Sequence, residues 1–366
     1  MKENTELSSA DSLRLNILLA QKPQAVRIDE SRMVVYALTA KGEARVTLDP
    51  NCEESTYLRR VKEMLSSHVM DSPGGYPVFL ERWTRMGQVR DSVLEQLLLL
   101  GESEAVVAVA HAPGLTETLA RRVWWAMPNA ANARQMLNNP QVAESPIGRE
   151  LAAFLLEFLP FEQEAGSMLE SVRLVLQAGL IDEEDRHKLW QRAQIKRSML
   201  VGFLLSVPDA LPLNAREHPA LQAHERSLDP AIAADDAVLA VMRRVFSAPG
   251  QAFLQACDLA LAKVIDQEVT VLLFEAIARY FHEARAIHGC FRDIEELEEA
   301  VNRLEWTHDP QIENYGRSIW FLSALAVDLL DPIFSRTDAI GSGMRRKIKP
   351  ITDRIFDHLH RLTHVP

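Results

Sequence analysis

The spacing of apolar residues changes early in the chain, and the change predicts two kinds of structure. Ser12 to Ala20 carries apolar residues at helical intervals. Three short stretches follow, Ala25 to Asp29, Met33 to Leu38 and Ala44 to Leu48, in which β-branched and aromatic residues dominate. Lys41 and Gly42 supply a turn between the last two, so the three predict a small antiparallel meander. Tyr57 to Val69 returns to helical spacing, and residues 1–85 together read as a small α+β unit.

From residue 86 onward, helical runs of about 9 to 15 residues alternate with Pro, Gly or Asn breaks, as in SVLEQLLLLGE, LTETLARRVWWAMPN and GRELAAFLLEFLP. Helices this short cannot hide an apolar face alone. The series therefore predicts a mainly α fold in which antiparallel helices stack as a HEAT-like α-solenoid. Residues 212–230, with Pro212, Pro219 and Pro230, read as a linker or exposed loop. That segment would separate a helical-repeat region, 86–211, from a C-terminal helical region, 231–366. Asp235 and Asp236 suit the positive N-terminal end of the next helix, and Pro350 is expected to break or kink the last one.

Composition narrows the classes of function. The 366 residues are 47% apolar and 25% charged, with a formal net charge of -11 that opposes general attraction to phosphate backbones. The apolar runs fall well short of the roughly 20 residues that span a bilayer. Glu3, Glu6, Asp11 and Arg14 at the start do not read as a secretory leader. Cys52, Cys257 and Cys290 are odd in number and far apart, which excludes a multi-disulfide framework and any CxxC motif. A soluble chain in a reducing cytoplasm, with no membrane partner, is the expectation.

Familiar catalytic signatures are missing. SPGGYPV at residues 72–78 is turn-rich, but with neither a GxxxxGK[ST] loop nor a GxGxxG fingerprint it reads as a structural turn. Glu184/His187 and Glu305/His308 have the Glu-x-x-His spacing of di-iron bundles, yet chance supplies such pairs and both lie near expected helix ends. His358, His360 and His364 read as tail histidines on a solvated helix. Glu295, Glu296, Glu298 and Glu299 read as an exposed acidic face. Neither HExxH nor GxSxG occurs, so no catalytic residue, metal or cofactor is assigned and a non-enzymatic role is expected.

Three candidate sites remain. Arg121, Arg122, Trp124 and Trp125 share one expected helix, where successive side chains point about 100° apart. One tryptophan should therefore face inward and the other the rim, in a composition typical of binding hot spots. Arg345, Arg346, Lys347 and Lys349, after Gly341-Ser342-Gly343, form a basic patch suited to RNA, an acidic partner or the chain's own acidic helices. Cys290 is the first candidate reactive thiol, because an imidazolium at His288 or a helix end can stabilise a thiolate; Cys52 is the second.

The ordered segments DSLRLNILLA, QAVRIDESRMVVYAL, SPGGYPVFLERWTRMGQ, EQLLLLGESEAVVAVAHAPGLTETLARRVWWAMP and ESVRLVLQAGLI resemble the DsrS family of sulfur-oxidising bacteria, over almost the entire chain. That family is encoded with the dissimilatory sulfite reductase system in its oxidative, cytoplasmic form. The resemblance implies an accessory or regulatory role in sulfur oxidation, with a protein partner from the pathway. It carries no catalytic motif to transfer. Two alternatives stay open: sulfur handling through a cysteine persulfide on Cys290 or Cys52, and post-transcriptional regulation through RNA binding.

Overall fold

The computed structural model describes residues 7–70, 91–229, 236–264 and 266–363 of the chain. It is mainly α-helical with one small antiparallel sheet, and it divides into two compact units, residues 1–157 and 158–366. The SPGGYPV segment lies outside the described residues, as do Asp235 and His364.

The first unit begins with α1 (Ser9–Ala20), capped by Ser8, whose side chain accepts from the Asp11 N–H. Strands β1 (Ala25–Asp29), β2 (Val34–Thr39) and β3 (Gly42–Thr47) then form the expected meander, in the order β1-β2-β3. Register pairs Arg27 with Tyr36 and Tyr36 with Arg45, so these three share one face of the sheet. The opposite face buries Val26, Val35, Ala37 and Val46. Those residues make one core with Leu15 and Leu18 of α1 and with Tyr57, Val61 and Leu65 of α2 (Glu54–Met70). Gly42, at φ +114°, closes the tight β2–β3 turn in a conformation that other residues rarely adopt.

Six short helices complete this unit: α3 (Asp91–Leu97), α4 (Ser103–Ala110), α5 (Glu117–Ala126), α6 (Ala130–Leu137), α7 (Pro140–Ala143) and α8 (Pro146–Phe158). Thr116, Asn129 and Asn139 each cap the helix that follows by accepting from its first-turn N–H groups. Sequence neighbours pack here, α4 on α5, α5 on α6 and α6 on α7, while α5 also meets β1.

The second unit contains α9 (Ala165–Val175), α10 (Glu183–Ala193), α11 (Arg197–Ser206), α12 (Ala220–Ala223), α13 (Ala237–Phe246) and α14 (Ala248–Leu261). It continues with α15 (Gln267–Tyr280), α16 (Ile294–Asn302), α17 (Glu313–Ser323), α18 (Asp331–Phe334) and α19 (Gly341–Leu362). In a solenoid each repeat touches only its neighbours. Here α11 packs against α9, α10, α14 and α15, and α17 against α13, α15, α16 and α19, so packing in this unit reaches beyond immediate sequence neighbours. The cause is visible in α11: every residue from Ser198 to Leu204 is buried, and a helix apolar all round needs partners on all sides.

Two local expectations change. Residues 212–229 are mostly exposed or half-exposed, but they are anchored to the second unit at points: Leu228 is 1% exposed, and the His218 ring stacks on Phe246 with centroids 4.6 Å apart. Arg243 Nη1 donates to the Leu228 carbonyl at 3.1 Å, which pairs an acceptor beside this buried anchor. Helix α19 runs through Pro350 without a break. The ring faces solvent, and the carbonyl it orphans belongs to exposed Arg346, where water can serve it. Asp236 caps α13 as expected, accepting from the Val238 and Leu239 N–H groups. No described helix is long and apolar enough to cross a membrane.

Candidate functional site

Helix α5 turns Leu119, Ala120 and Val123 into the core. With Val123 inward, Trp124 and Trp125 lie about 100° and 200° around the helix, which places Trp124 on a flank and Trp125 nearly opposite Val123. Both are half-buried, so the expected division into one core and one rim tryptophan does not occur. The Trp124 indole N–H donates to Glu150 Oε1 at 3.0 Å, and its ring meets Phe154 edge-on at 4.8 Å. The Trp125 indole N–H donates to Glu43 Oε2 at 3.0 Å.

Arg27 completes the Trp125 side. Its guanidinium lies 5.0 Å from the Trp125 ring and 4.6 Å from the Tyr36 ring, and its Nη2 donates to Glu43 at 3.1 Å. The result is an aromatic and cationic cluster built from β1, β2, β3 and α5. Arg121 is exposed and ties back to Glu117 at 2.9 Å. Arg122 reaches Glu95 at 2.9 Å with only 14% of its side chain exposed, and its buried Nε has no hydrogen-bond partner among the described residues.

The basic stretch on α19 is partly consumed internally. Arg345 Nη1 donates to the Val264 carbonyl at 3.0 Å, just past the C-terminal end of α14, where a cation suits the helix dipole. Lys349 pairs with Asp353, and Lys347 Nζ meets Thr337 Oγ1. Arg346 is exposed. Arg345, Arg346 and Lys349 border a shallow groove of about 290 Å³ with Leu261 and Phe356. Carbonyls at a helix C-terminus disfavour an anion there, which weakens the fit to a phosphate backbone.

The cysteines reorder. Cys290 is exposed, but its thiol is pushed above its ordinary value, first by the hydrogen bond to Asp328 and then by burial and the Asp328 charge. A carboxylate partner opposes the thiolate that His288 was expected to support. Cys257 is fully buried, and burial drives its thiol up further. Cys52 is partly buried, and Arg60 Nη1 lies 3.3 Å from its sulfur.

Among the described residues, no group of three or more His, Cys, Asp or Glu is arranged to hold a metal ion. Glu184 pairs with Lys188 at 2.7 Å, and His187 Nδ1 lies 2.9 Å from the Glu183 carbonyl, so both members of that pair are engaged locally. His308 lies 3.4 Å from Asp236 and edge-on to Trp306. His358, expected on a solvated face, is buried with its ring stacked on Phe321. Burial, then Arg361 and Arg354, hold its imidazole down to about 3.

Sequence reasoning missed two polar centres, one buried and one at the surface. Asp11, 0% exposed, accepts from the Tyr57 hydroxyl at 2.6 Å and the Asp49 N–H at 2.8 Å, joining α1, α2 and the loop after β3. Arg244 grips Asp209 with two donors while lying 4.0 Å above the Tyr280 ring, and the Tyr280 hydroxyl also donates to Asp209. Neither a protein-family model, nor a curated protein, nor a solved structure matches the chain.

Proposed function

We propose that this chain is a non-enzymatic binding protein, an accessory or regulatory component of cytoplasmic sulfur oxidation, that engages a protein partner through the Trp124–Trp125 surface of α5. The pathway comes from the resemblance to the DsrS family. The surface is supported by one observation: two adjacent half-buried indoles whose N–H groups are each fixed by a carboxylate, Trp124 on Glu150 and Trp125 on Glu43. Fixed side chains lose little entropy on docking, and tryptophan beside arginine is the commonest composition of an energetic hot spot.

Capture of partners from sulfur-oxidising cells, with protein and RNA both identified, tests this reading. Replacing a hot-spot tryptophan with alanine costs about 2 kcal/mol, roughly a thirtyfold weaker complex. Trp125→Ala should therefore weaken capture by that factor, while Arg121→Ala changes mainly the salt dependence. Circular dichroism checks that the fold survives. Capture that is unchanged in both Trp124→Ala and Trp125→Ala would refute the assignment, and RNA as the recovered species would move it to the α19 patch.

A further inference from the structure

Strand β3 is an edge: among the described strands it pairs with β2 alone. The Leu48 N–H donates to the Met33 carbonyl at 2.8 Å, which fixes the alternation of the ladder. Gly42, Ala44 and Val46 share the parity of Leu48, so their backbone groups turn toward β2. Those of Glu43, Arg45 and Thr47 turn outward, and all three residues are exposed. An unpaired row of donors and acceptors is a template for another strand.

A groove of about 400 Å³ runs along this edge, between β3 and α1, with Arg14, Ile17, Leu18 and Gln21 on the helix side. Leu18 and Val46 are buried at its base, while Ile17 and neighbouring Leu13 are 55% and 62% exposed. Arg14 and Arg45 stand at the groove, and no carboxylate lines it. Arg14 leans on Asp11 but leaves 57% of its side chain exposed, and Arg45 has no ion-pair partner among the described residues. On a chain of net charge -11, this is an apolar trough with a local positive rim.

We propose that β3 docks an extended segment of a partner protein, with apolar and acidic side chains alternating along it. Side chains of Ala44 and Val46 face α1, and those of Glu43, Arg45 and Thr47 face the other side. A strand added to this edge follows the same pleat, so every second residue enters the groove against Ile17 and Leu18. The residues between them flank Arg45, where a carboxylate is favoured. Arg14 takes a second acid at the helix side. A second copy of this chain fits less well, because it presents the same arginines; Glu43, the one acid that could answer Arg45, is held by Arg27 and Trp125.

The test selects a displayed library of random eight-residue linear peptides on the full chain. Selected peptides should alternate apolar with acidic residues and should protect the Arg45 and Thr47 amides from hydrogen exchange. Thr47→Pro removes an outward N–H without touching the bonds to β2, so binding should fall at least tenfold. Ile17→Glu, at an exposed helix position, should do the same without burdening the fold. Partner capture that depends on Trp125 should persist in both variants, which separates failure here from failure of the α5 surface. Three results overturn the proposal: no enriched pattern, peptides that survive both variants, or a concentration-dependent dimer that Thr47→Pro abolishes.

Discussion

His358 should make the second unit acid-sensitive by a calculable amount. Its ring stacks on Phe321 at 3.9 Å, with Ser318 Oγ at 3.1 Å and Arg361 Nη1 at 3.5 Å from Nδ1. Glu298 faces Nε2 from 3.8 Å and favours the charged ring, but Arg354 lies beside that same carboxylate, and burial dominates. The folded imidazole is held near 3 against an ordinary 6.5, so the unfolded chain binds the proton first as pH falls. Stability from this group is therefore present above 6.5 and is lost as pH drops through the range below it. Between pH 7 and pH 4.5 the loss is about 2.5 kcal/mol, and it hardly depends on the depressed value provided that value lies below 4.5. Other acid-sensitive groups are shared with His358→Gln, so the difference between the two proteins isolates the histidine. Denaturant unfolding of the second unit at both pH values should show the native chain losing about 2.5 kcal/mol more than the variant. Parallel losses, or an imidazole that titrates near 6.5 by NMR, would refute the argument.

Two further outcomes follow from the first unit and from the cysteines. Asp11→Ala strips the acceptor from the Tyr57 hydroxyl and the Asp49 N–H, both paired at the buried carboxylate, and should destabilise the first unit by about 3 kcal/mol in urea unfolding. A loss under about 1 kcal/mol would mean that water replaces the carboxylate freely. Cys290 should alkylate slowly at neutral pH because Asp328 keeps its thiol protonated, and Asp328→Asn should speed the reaction; equal rates would remove that role from Asp328.

The meander was legible because its signals are local: a Lys41-Gly42 turn between stretches of β-branched residues. Serial helices were legible for the same reason, but helical spacing says which face is apolar and not which helix covers it. The closed packing of α11 therefore lay beyond it. The anchoring of residues 212–229 is not legible because proline, histidine and charge give no sign of which side chains find a partner, whereas His218 stacks on Phe246 and Leu228 is covered.

Other signals were present and not used. Asp11 shares its buried face with Leu15 and Leu18, and His358 shares one with Ile351, Ile355 and Leu362. A polar residue in phase with an apolar stripe is the sequence mark of a buried polar group. The Trp125 cluster had no such mark. Glu43 and Trp125 are 82 residues apart, and only the fold brings them together.

The competing reading of the chain as a cysteine-dependent sulfur handler now turns on different residues. A persulfide carrier needs a thiolate that a donor can reach. Cys290 is reachable but faces Asp328 and Asp331, and both carboxylates oppose the anion. Cys257 is enclosed. Arg60 Nη1 lies 3.3 Å from the Cys52 sulfur, yet the Cys52 side chain packs against the core of the α+β unit, whereas at Cys290 the pull of Arg292 is outweighed by Asp328. Cys257 is enclosed, Cys52 is partly covered and Cys290 is held by a carboxylate, and the residues that join reach with a prepared environment are aromatic and basic. That combination favours recognition over sulfur transfer, and it makes Cys52 the position at which the alternative would have to be defended.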